Sequence, residues 1–424
     1  MGFNGFNVRK PRHRPHGDLI AVLDVGSSKV VCFIARIDEV GRPTVIGIGH
    51  QVSQGIKGGA VIDMEVAEQS IGTAVNAAEK LAGETIREVV LNLSGGHPTS
   101  QTMAVEVAIS GHEVGEGDVR RAMRAHGHAH VPPDSEIVHA IPVDFAVDGA
   151  RGIHDPRGMF GTTLSVDLHL VSAATGAVRN LMTCIGRCHL ACETLVVSPY
   201  AAGLACLVED EKQLGCAVLD LGGGTTSLAV FLEGRMVFSD CIPVGGNHVT
   251  SDIARGLSTP LAHAERLKTL FGSCTASIAD DRETLHVPLV GEEEPARSTH
   301  VPKSLLTGII QPRMEETLEL VRGRLEASGF SKVAGRRVVL TGGGSQLQGV
   351  RELAQQVLDK QVRMGRPAPL RGLAEATAGP AFAVAVGLVG YAVEQPSEAA
   401  LVGGQEEEVG VGFFSRLGGW LRDL

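Results

Sequence analysis

The feature that most constrains the fold of this chain is a short turn that occurs twice, at residues 24–29 and 220–226. In each copy an aspartate ends an apolar, strand-like run, and glycine and hydroxyl residues then lead into a second apolar run. Glycine and serine leave room for a close approach to the backbone, so the amides of such a turn can point at phosphate oxygens. The neighbouring aspartate can hold a magnesium ion, directly or through water.

A third glycine-rich turn, at residues 341–344, follows another apolar run at residues 337–340. A single turn of this kind carries little weight, because an ordinary tight turn uses the same residue types. Two Asp-Gly turns and a glycine triplet together predict a duplicated, two-lobed fold that closes on a nucleotide.

Length, charge and hydropathy limit the class of protein. A chain of 424 residues is expected to form two or more domains. Its net charge of −10 argues against a general nucleic-acid binder. The eight cysteines are scattered without zinc or disulfide spacing, which predicts a reducing compartment. The sequence contains no apolar run of about eighteen residues and no secretory signal pattern, so no membrane-spanning or secretory segment is predicted.

The order of the predicted elements supports the two-lobed interpretation. Strand patterns at residues 19–25, 30–37 and 44–50 precede a helix that Asp63 is predicted to cap, and a further strand follows at residues 86–93. The second half of the chain repeats the three-strand pattern. This order resembles a ribonuclease-H-like unit, the building block of the actin superfamily.

The predicted fold class is α/β, an actin-like ATPase fold with two ribonuclease-H-like lobes around a nucleotide cleft. A small α+β subdomain is inserted in the first lobe, and an amphipathic helix ends the chain. The predicted segments are a disordered basic tail (1–17), the first-lobe core (18–95 and 175–214), the inserted subdomain (96–174), the second-lobe core (215–245), a small subdomain of the second lobe (246–308), the second-lobe core with a return helix (309–393), a flexible linker (394–410) and the C-terminal helix (411–424).

The C-terminal segment differs in character from the rest of the chain. Wound as a helix, it places its large apolar side chains, which include the single tryptophan, in one arc of about 120°; these are Phe413, Phe414, Leu417, Trp420, Leu421 and Leu424. Arginines occupy the other side, which suits the headgroup boundary of a bilayer. The alternative is a helix that docks on the protein's own core. The acidic linker favours the membrane, because it lets the segment reach away from the body.

Several of these stretches together resemble the FtsA family of actin-like bacterial division proteins. They are the two Asp-Gly turns, the glycine triplet, residues 245–254, residues 264–268 and the tethered C-terminal helix. The phosphate turns alone are shared with sugar kinases, seventy-kilodalton chaperones and MreB. Residues 250–254, the inserted subdomain and the C-terminal helix are more specific to the family. The resemblance covers essentially the whole folded chain.

The resemblance implies that ATP and Mg²⁺ bind between the lobes. Asp24 and Asp220 would position the magnesium through water. The residues that would cradle the phosphates are Gly26, Ser27, Ser28 and Lys29 on one side and Gly222, Gly223, Gly224 and Thr225 on the other. The residues that would lie near the adenine and ribose are Gly342, Gly343, Gly344, Gly246, Asn247, Glu265 and Lys268.

The resemblance gives less support to catalysis. Hydrolysing members of the superfamily place an acidic or amide side chain before the helix that leads out of the first lobe, whereas this chain has Ser198 there. A lone hydroxyl is a poor general base near neutral pH. We therefore expect tight ATP binding with slow or undetectable hydrolysis.

The resemblance also implies partners and a location. Proteins of this kind form actin-like filaments and tether the FtsZ ring to the cytoplasmic face of the inner membrane at the division septum, where they recruit later division proteins. The C-terminal peptide of FtsZ would bind the small subdomain of the second lobe, near Arg297 and Lys303. Two alternatives remain at this point: a sugar or acetate kinase of the same superfamily, and a pilus-assembly adaptor.

Overall fold

The computed structural model describes residues 17–109, 113–125, 131–291, 299–332 and 335–394. The basic tail to residue 16, Arg297, the linker from residue 395 and the predicted membrane helix lie outside these ranges.

The first lobe begins with a five-stranded sheet in the order β11-β6-β1-β2-β3. Strands β1, β2 and β3 are antiparallel, whereas β6 pairs with β1 and with β11 in parallel. The first elements of this lobe are β1 (Leu19–Val25), β2 (Lys29–Ile37), β3 (Pro43–Val52), β4 (Ile56–Lys57), β5 (Ala60–Val61), α1 (Met64–Ala82) and β6 (Glu88–Leu93).

Helix α1 shows how directly the sequence encodes this lobe. The Asp63 carboxylate accepts a hydrogen bond from the Val66 amide at 3.1 Å, so Asp63 is the N-cap that the sequence predicts. The helix ends at Gly83, whose backbone is left-handed with φ 68°. Its apolar face lies directly on β3, where a Cβ at Gly49 would come within 1.7 Å of the Ala74 carbonyl oxygen. Glycine on β3 therefore allows the close helix–sheet contact.

The inserted subdomain follows β6 and forms a separate four-stranded antiparallel sheet in the order β7-β10-β8-β9, with one helix packed against it. Its elements are β7 (Thr99–Ala108), α2 (Glu116–Arg124), β8 (Ser135–Val147), β9 (Ala150–Ile153) and β10 (Thr163–Ala174). The chain then returns to the first lobe through α3 (Thr175–Arg187), β11 (Ala191–Val197), α4 (Ser198–Cys206) and α5 (Glu209–Leu214).

The inserted subdomain contacts both lobes through two buried histidines. His139 on β8 accepts a hydrogen bond from the Val197 amide at 3.1 Å, and its ring lies edge-on to Tyr200 of α4. His169 on β10 lies 2.9 Å from the Met236 carbonyl oxygen of the second lobe. Burial lowers the pKa of His139 to about 3 and that of His169 to about 4, so both rings are neutral at pH 7.

The second lobe repeats the first. Its sheet has the order β18-β17-β12-β13-β14, with the same pattern of antiparallel and parallel pairs. The elements are β12 (Cys216–Leu221), β13 (Thr226–Leu232), β14 (Arg235–Ile242), α6 (Gly246–Gly256), α7 (Leu261–Phe271), β15 (Thr284–Val287), β16 (Thr299–Pro302), α8 (Lys303–Ala327), β17 (Arg337–Thr341), α9 (Val350–Leu358), β18 (Gln361–Met364) and α10 (Ala383–Glu394).

The last described helix, α10, returns to the first lobe and packs on α4 and β1. A Cβ at Gly387 would come within 1.8 Å of the Ala201 carbonyl oxygen, so the two helices touch through their backbones. The predicted fold class is therefore confirmed: two ribonuclease-H-like lobes, with a small α+β subdomain inserted in the first. Residues 411–424 lie outside the described part, so the predicted C-terminal helix stays a prediction. The segment boundaries also stay predictions.

Candidate functional site

The two Asp-Gly turns face one another across a cavity of about 560 Å³ between the lobes. All the residues that the sequence proposes for the nucleotide and the magnesium lie in its wall. They are Asp24, Gly26, Ser27, Ser28, Lys29, Asp220, Gly222, Gly223, Gly224, Thr225, Gly246, Asn247, Glu265, Lys268, Gly342, Gly343 and Gly344. The fold therefore brings to one place residues that are scattered over most of the chain, and their individual roles stay predictions.

The turns are close enough to touch. The Ser28 hydroxyl donates a hydrogen bond to the Asn247 amide oxygen at 3.2 Å, which joins the first lobe to the second. A Cβ on Gly224 would lie 2.3 Å from the Ser27 hydroxyl oxygen, so the second turn has no space for a side chain at that position. The two turns thus pack face to face at one end of the cavity.

The second turn is fixed by the start of α6. The Gly246 amide donates to the Gly222 carbonyl at 2.9 Å, and the Asn247 amide donates to the Gly223 carbonyl at 2.7 Å. These contacts use two of the amides that a helix leaves unpaired at its N-terminus. They place Asn247 beside the first turn.

Asp24 lies within a cluster of polar side chains in the first lobe. Only 6% of Asp24 is exposed, and its carboxylate accepts a hydrogen bond from the Asn92 amide at 2.7 Å. The same amide nitrogen lies 2.7 Å from the Ser94 hydroxyl and 3.1 Å from the Ser198 hydroxyl. Neither Asn92 nor Ser94 was predicted from the sequence. The available signal was Asn92 itself, a polar residue in the apolar strand β6.

Lys29 provides the positive charge beside both aspartates. Its ammonium donates to the Ala381 carbonyl oxygen and lies 4.6 Å from the centre of the Phe382 ring. Burial lowers the pKa of Lys29, and the charges of Asp24 and Asp220 oppose that shift. One partly buried ammonium thus faces two carboxyl groups.

The single positive charge of Lys29 does not neutralise both Asp24 and Asp220 when both are ionised. Burial raises the pKa of Asp24 to about 6, and Lys29 opposes this shift. Burial, together with the charge of Asp24, raises the pKa of Asp220 to about 7. A cation between them would favour their ionised forms, and carboxylate oxygens are ligands that Mg²⁺ prefers. Among the described residues, no group of three or more His, Cys, Asp or Glu side chains is placed to hold a metal ion. Water and an anionic ligand would have to complete its coordination shell.

Helices α6 and α7 build another wall of the cavity. The Lys268 ammonium donates to the Gly246 carbonyl at 3.1 Å, to the Thr250 hydroxyl at 2.9 Å and to the Glu265 carboxylate at 2.7 Å. Lys268 therefore ties α7 to the first turn of α6, and the Glu265 side chain remains 51% exposed beside it. Of these two, Glu265 is the side chain that is freer to meet a ligand.

The glycine triplet packs against the second turn. Gly342 has φ 83°, and a Cβ there would lie 2.2 Å from the Asp220 carboxylate oxygen and 2.6 Å from the Leu221 carbonyl oxygen. No other residue type fits this position without displacing Asp220. The sequence analysis did not find the apolar lining of the same region, because its members are ordinary residues of helices and loops: Val249, Leu270, Met314 and Leu347.

Ser198 stands at the first residue of α4 and lines the cavity. Its hydroxyl lies 3.1 Å from the Leu93 carbonyl oxygen and 3.0 Å from the Ser94 hydroxyl. The groups around it are hydroxyls, an amide and a carbonyl. Ser198 thus has no direct contact with a carboxylate or an imidazole within the described part of the chain.

Of the two predicted peptide contacts, Lys303 alone lies in the described part of the chain. Its ammonium donates to Glu283 at 2.9 Å and lies 3.5 Å from Asp280, and the hydrogen bond to Glu283 contributes most to its raised pKa. This cation is therefore already paired within the small subdomain. Whether it contacts a partner stays a prediction.

No helix within the described ranges combines the length and the apolar character needed to cross a bilayer.

Sequence comparison identifies the relatives. A family model described as "Cell division protein FtsA" matches residues 217–387, and one described as "SHS2 domain inserted in FTSA" matches residues 95–172. The protein named Cell division protein FtsA from Rhizobium meliloti is 44% identical, over 98% of this chain and 96% of its own length. The protein of the same name from Escherichia coli K12 is 33% identical, over 95% of this chain and 97% of its own length.

Comparison with solved structures supports the fold. The structure titled "PilM-PilN type IV pilus biogenesis complex" matches with a TM-score of 0.61 at 19% identity, over 89% of this chain and 99% of that one. MreB5 of Spiroplasma citri bound to ADP matches with a TM-score of 0.52 at 14% identity, over 89% and 97%. Identities this low show the fold alone. The full-length relatives decide the family: this chain is an actin-like member of the FtsA family of cell division proteins.

Proposed function

We propose that this protein binds ATP with Mg²⁺ in the cleft and acts as a polymerising adaptor, which tethers the FtsZ ring to the cytoplasmic face of the inner membrane. The observation that carries the nucleotide part is that both Asp-Gly turns, the glycine triplet and the α6–α7 wall line one cavity. MreB5 of Spiroplasma citri, which shares the fold, is described as bound to ADP and to AMPPNP.

Each wall of the cavity has a role in this proposal. The amides of Gly26–Lys29 and Gly222–Thr225 would hold the phosphates, because turns with glycine let amides approach an anion. Asp24 and Asp220 would hold magnesium through water, and Lys29 would balance the charge between them. The glycine triplet would let the backbone pass close to the adenine and ribose. The α6–α7 wall would complete the sugar and base pocket with Gly246, Asn247, Glu265 and Lys268.

Hydrolysis would be slow, since the groups in direct contact with Ser198 at the start of α4 are hydroxyl, amide and carbonyl groups, and none of these is a useful general base. The protein would then work through the state of the filament rather than through turnover. Calorimetric titration of the purified protein should show Mg²⁺-dependent ATP binding, with little phosphate released. Turnover of several ATP per second would contradict the argument from Ser198, and absence of ATP binding would contradict the proposal.

Membrane attachment rests on the sequence of residues 411–424, which lie outside the described residues. A short helix with one apolar face binds a bilayer weakly, and many copies in a filament bind strongly through avidity. In sedimentation with anionic vesicles, the full-length protein should pellet, whereas a truncation at residue 410 or Trp420→Glu should remain in solution. Trp420→Phe, which keeps an apolar aromatic side chain, is the matched control. Unchanged binding of the truncated protein would contradict the attachment.

Binding of the FtsZ C-terminal peptide is proposed for the small subdomain of the second lobe (246–308). Because Lys303 is paired with Glu283 and Asp280, Arg297 is the better candidate for an acidic group of the peptide. In a pull-down with that peptide, Arg297→Glu should lose binding. Arg351→Glu, on an exposed arginine of α9, should retain it. Retention by Arg297→Glu would place the contact elsewhere.

Later division proteins are proposed to bind the inserted subdomain (96–174).

Nothing in the described structure favours the kinase alternative. The pilus-assembly alternative rests on fold likeness at 19% identity, whereas relatives at 33–44% identity over nearly the whole chain are division proteins. Tethering is therefore the function that we test first.

A further inference from the structure

We propose that Asn92 is a positioning residue for magnesium in the cleft, because its amide fixes the carboxylate of Asp24 in one orientation. This inference rests on the proposed binding of ATP and Mg²⁺. It concerns a group of four residues, which we call the first-lobe cluster: Asp24, Asn92, Ser94 and Ser198.

The orientation of the Asn92 amide follows from its neighbours. The Val25 backbone amide can only donate, and it lies 2.6 Å from the Asn92 oxygen. The NH₂ group must therefore point the other way, to the Asp24 carboxylate oxygen at 2.7 Å. Two adjacent residues, Asp24 and Val25, thus hold the two ends of one amide.

Burial makes this arrangement rigid. Asn92 is 0% exposed and lies on β6, next to β1 in the same sheet. Water cannot replace its NH₂ group as a donor without opening the sheet. A buried acceptor that loses its hydrogen-bond donor is destabilised, because its desolvation is no longer compensated. The Asp24 carboxylate is therefore held in this position.

The same amide connects Asp24 to the start of α4. Its two hydrogens meet three oxygens within 3.1 Å: the Asp24 carboxylate, the Ser94 hydroxyl and the Ser198 hydroxyl. The Ser94 and Ser198 hydroxyls lie 3.0 Å apart and can form a hydrogen bond with each other. This bond satisfies the hydroxyl that receives no hydrogen from Asn92. The first-lobe cluster therefore sets the position of Asp24 relative to the cavity wall at Ser198.

The second aspartate has no such support. Asp220 makes no side-chain hydrogen bond to any residue that the structure describes, and Gly342 lies against its carboxylate. A magnesium ion held through water by both carboxylates would find Asp24 already oriented. Asp220 would have to be ordered when the ion binds. Preorganisation at Asp24 should thus account for much of the affinity that magnesium adds to ATP binding.

The experiment compares ATP affinity in Mg²⁺ with ATP affinity in EDTA, for the full-length protein. We expect magnesium to raise the affinity of the wild type by about tenfold or more. Asn92→Ala and Asn92→Leu should keep the affinity in EDTA within about twofold, and should lose most of the gain from magnesium. If Asn92 contributed to stability alone, its variants would lower the ATP affinities in Mg²⁺ and in EDTA by the same factor, or would change neither.

The matched control is Val89→Ala, on the same strand and also 0% exposed, whose apolar side chain makes no hydrogen bond to Asp24. It should lower the melting temperature and keep the gain from magnesium. Folded Asn92 variants with an undiminished gain would overturn the inference and leave the proposed function standing. Failure of both Asn92 variants to fold would also count against it, because a positioning role predicts a folded protein with an altered magnesium response. A wild type that binds no ATP would overturn the proposed function, and this inference with it.

Discussion

The turn after β1 and the turn after β12 close with the same backbone hydrogen bond, from Gly26 to Lys29 at 3.0 Å and from Gly222 to Thr225 at 2.9 Å. Each follows a strand in the corresponding position of its sheet. Their surroundings differ. The first turn stands beside the side chains of Asn92, Ser94 and Ser198, whereas the second is packed by the backbone of α6 and of the glycine triplet.

This difference separates two requirements of a binding cleft. A buried carboxylate is held in one orientation by side-chain donors, and the cost is a crowded polar cluster. A close approach of backbone to ligand needs glycine, and here it leaves the Asp220 carboxylate without a hydrogen bond from any described side chain. The first lobe provides the oriented carboxylate at Asp24, and the second lobe provides the close backbone approach beside Asp220. The four predictions below test this division.

The largest effect on ATP affinity is expected when a methyl group is added at Gly342, beside Asp220 in the second lobe. In Gly342→Ala, the Cβ would meet the Asp220 carboxylate at 2.2 Å and the Leu221 carbonyl at 2.6 Å, at a backbone φ of 83°. We expect ATP affinity to fall by about 100-fold, or about 2.7 kcal/mol. Gly379→Ala, outside the cavity lining, is the matched control, since no atom lies within 4 Å of its Cβ and its φ is −81°. Calorimetric titration decides; equal affinities of the two variants would contradict the tight packing.

The second prediction concerns stability without nucleotide. Asp24→Ala removes one hydrogen-bond acceptor of the buried Asn92 amide and one of the two carboxylates that face the Lys29 ammonium, so the free energy of unfolding should fall by about 1–3 kcal/mol. Asp220→Ala removes a carboxylate that is desolvated and has no hydrogen bond in the described structure. It should leave stability unchanged or raise it by up to about 1 kcal/mol. Urea denaturation measures both, and a larger loss in Asp220→Ala would reverse the comparison.

Much of the difference between the two turns can be predicted from the local sequence, whereas the side-chain cluster around Asp24 cannot. The turns and the Asp63 cap could be predicted because each is encoded within a few residues. Asn92 was missed because its partners are distant in the chain: Asp24 is 68 residues away and Ser198 is 106. A polar residue in an apolar strand shows that a partner exists, but only the assembled sheet shows which one.

Some elements of the fold were missed for a related reason. Strand β11 carries the polar residues Glu193 and Thr194 in its middle, so its pattern does not separate it from the neighbouring helices. Strands β15 and β16 lie in the predicted small subdomain of the second lobe, in a polar stretch where no strand was predicted. Leu285 and Val287 of β15 join the apolar core of the second lobe and α8 packs on β16, so their pairing depends on tertiary contacts rather than on local periodicity.

The third prediction follows from the raised pKa of Asp220, about 7 in the folded protein against an unfolded value near 3.8. Between these values the folded state binds more protons than the unfolded state, so stability without nucleotide falls as pH rises. Asp220→Asn lacks this group. Its stability relative to the wild type should therefore increase by about 2 kcal/mol between pH 5 and pH 7. Urea midpoints at the two pH values measure it. A constant difference would mean that Asp220 is well solvated.

The smallest effect is expected where the two turns touch. The Ser28 hydroxyl and the Asn247 amide oxygen form one exposed hydrogen bond of 3.2 Å between the lobes. Such a bond contributes about 0.5–1.5 kcal/mol. Ser28→Ala should speed the release of a fluorescent ATP analogue by about two- to tenfold, since the loss of this bond makes the cleft easier to open.

Asn247→Ala should have the same effect on release, and the double variant should add little to either single change, because both remove one bond. Ser251→Ala, whose hydroxyl bonds only within α6 at 2.9 Å, is the matched control and should release at the wild-type rate. Additive effects of Ser28→Ala and Asn247→Ala would show that each side chain acts on the ligand separately. The turns would then be two independent phosphate contacts rather than a pair that closes together.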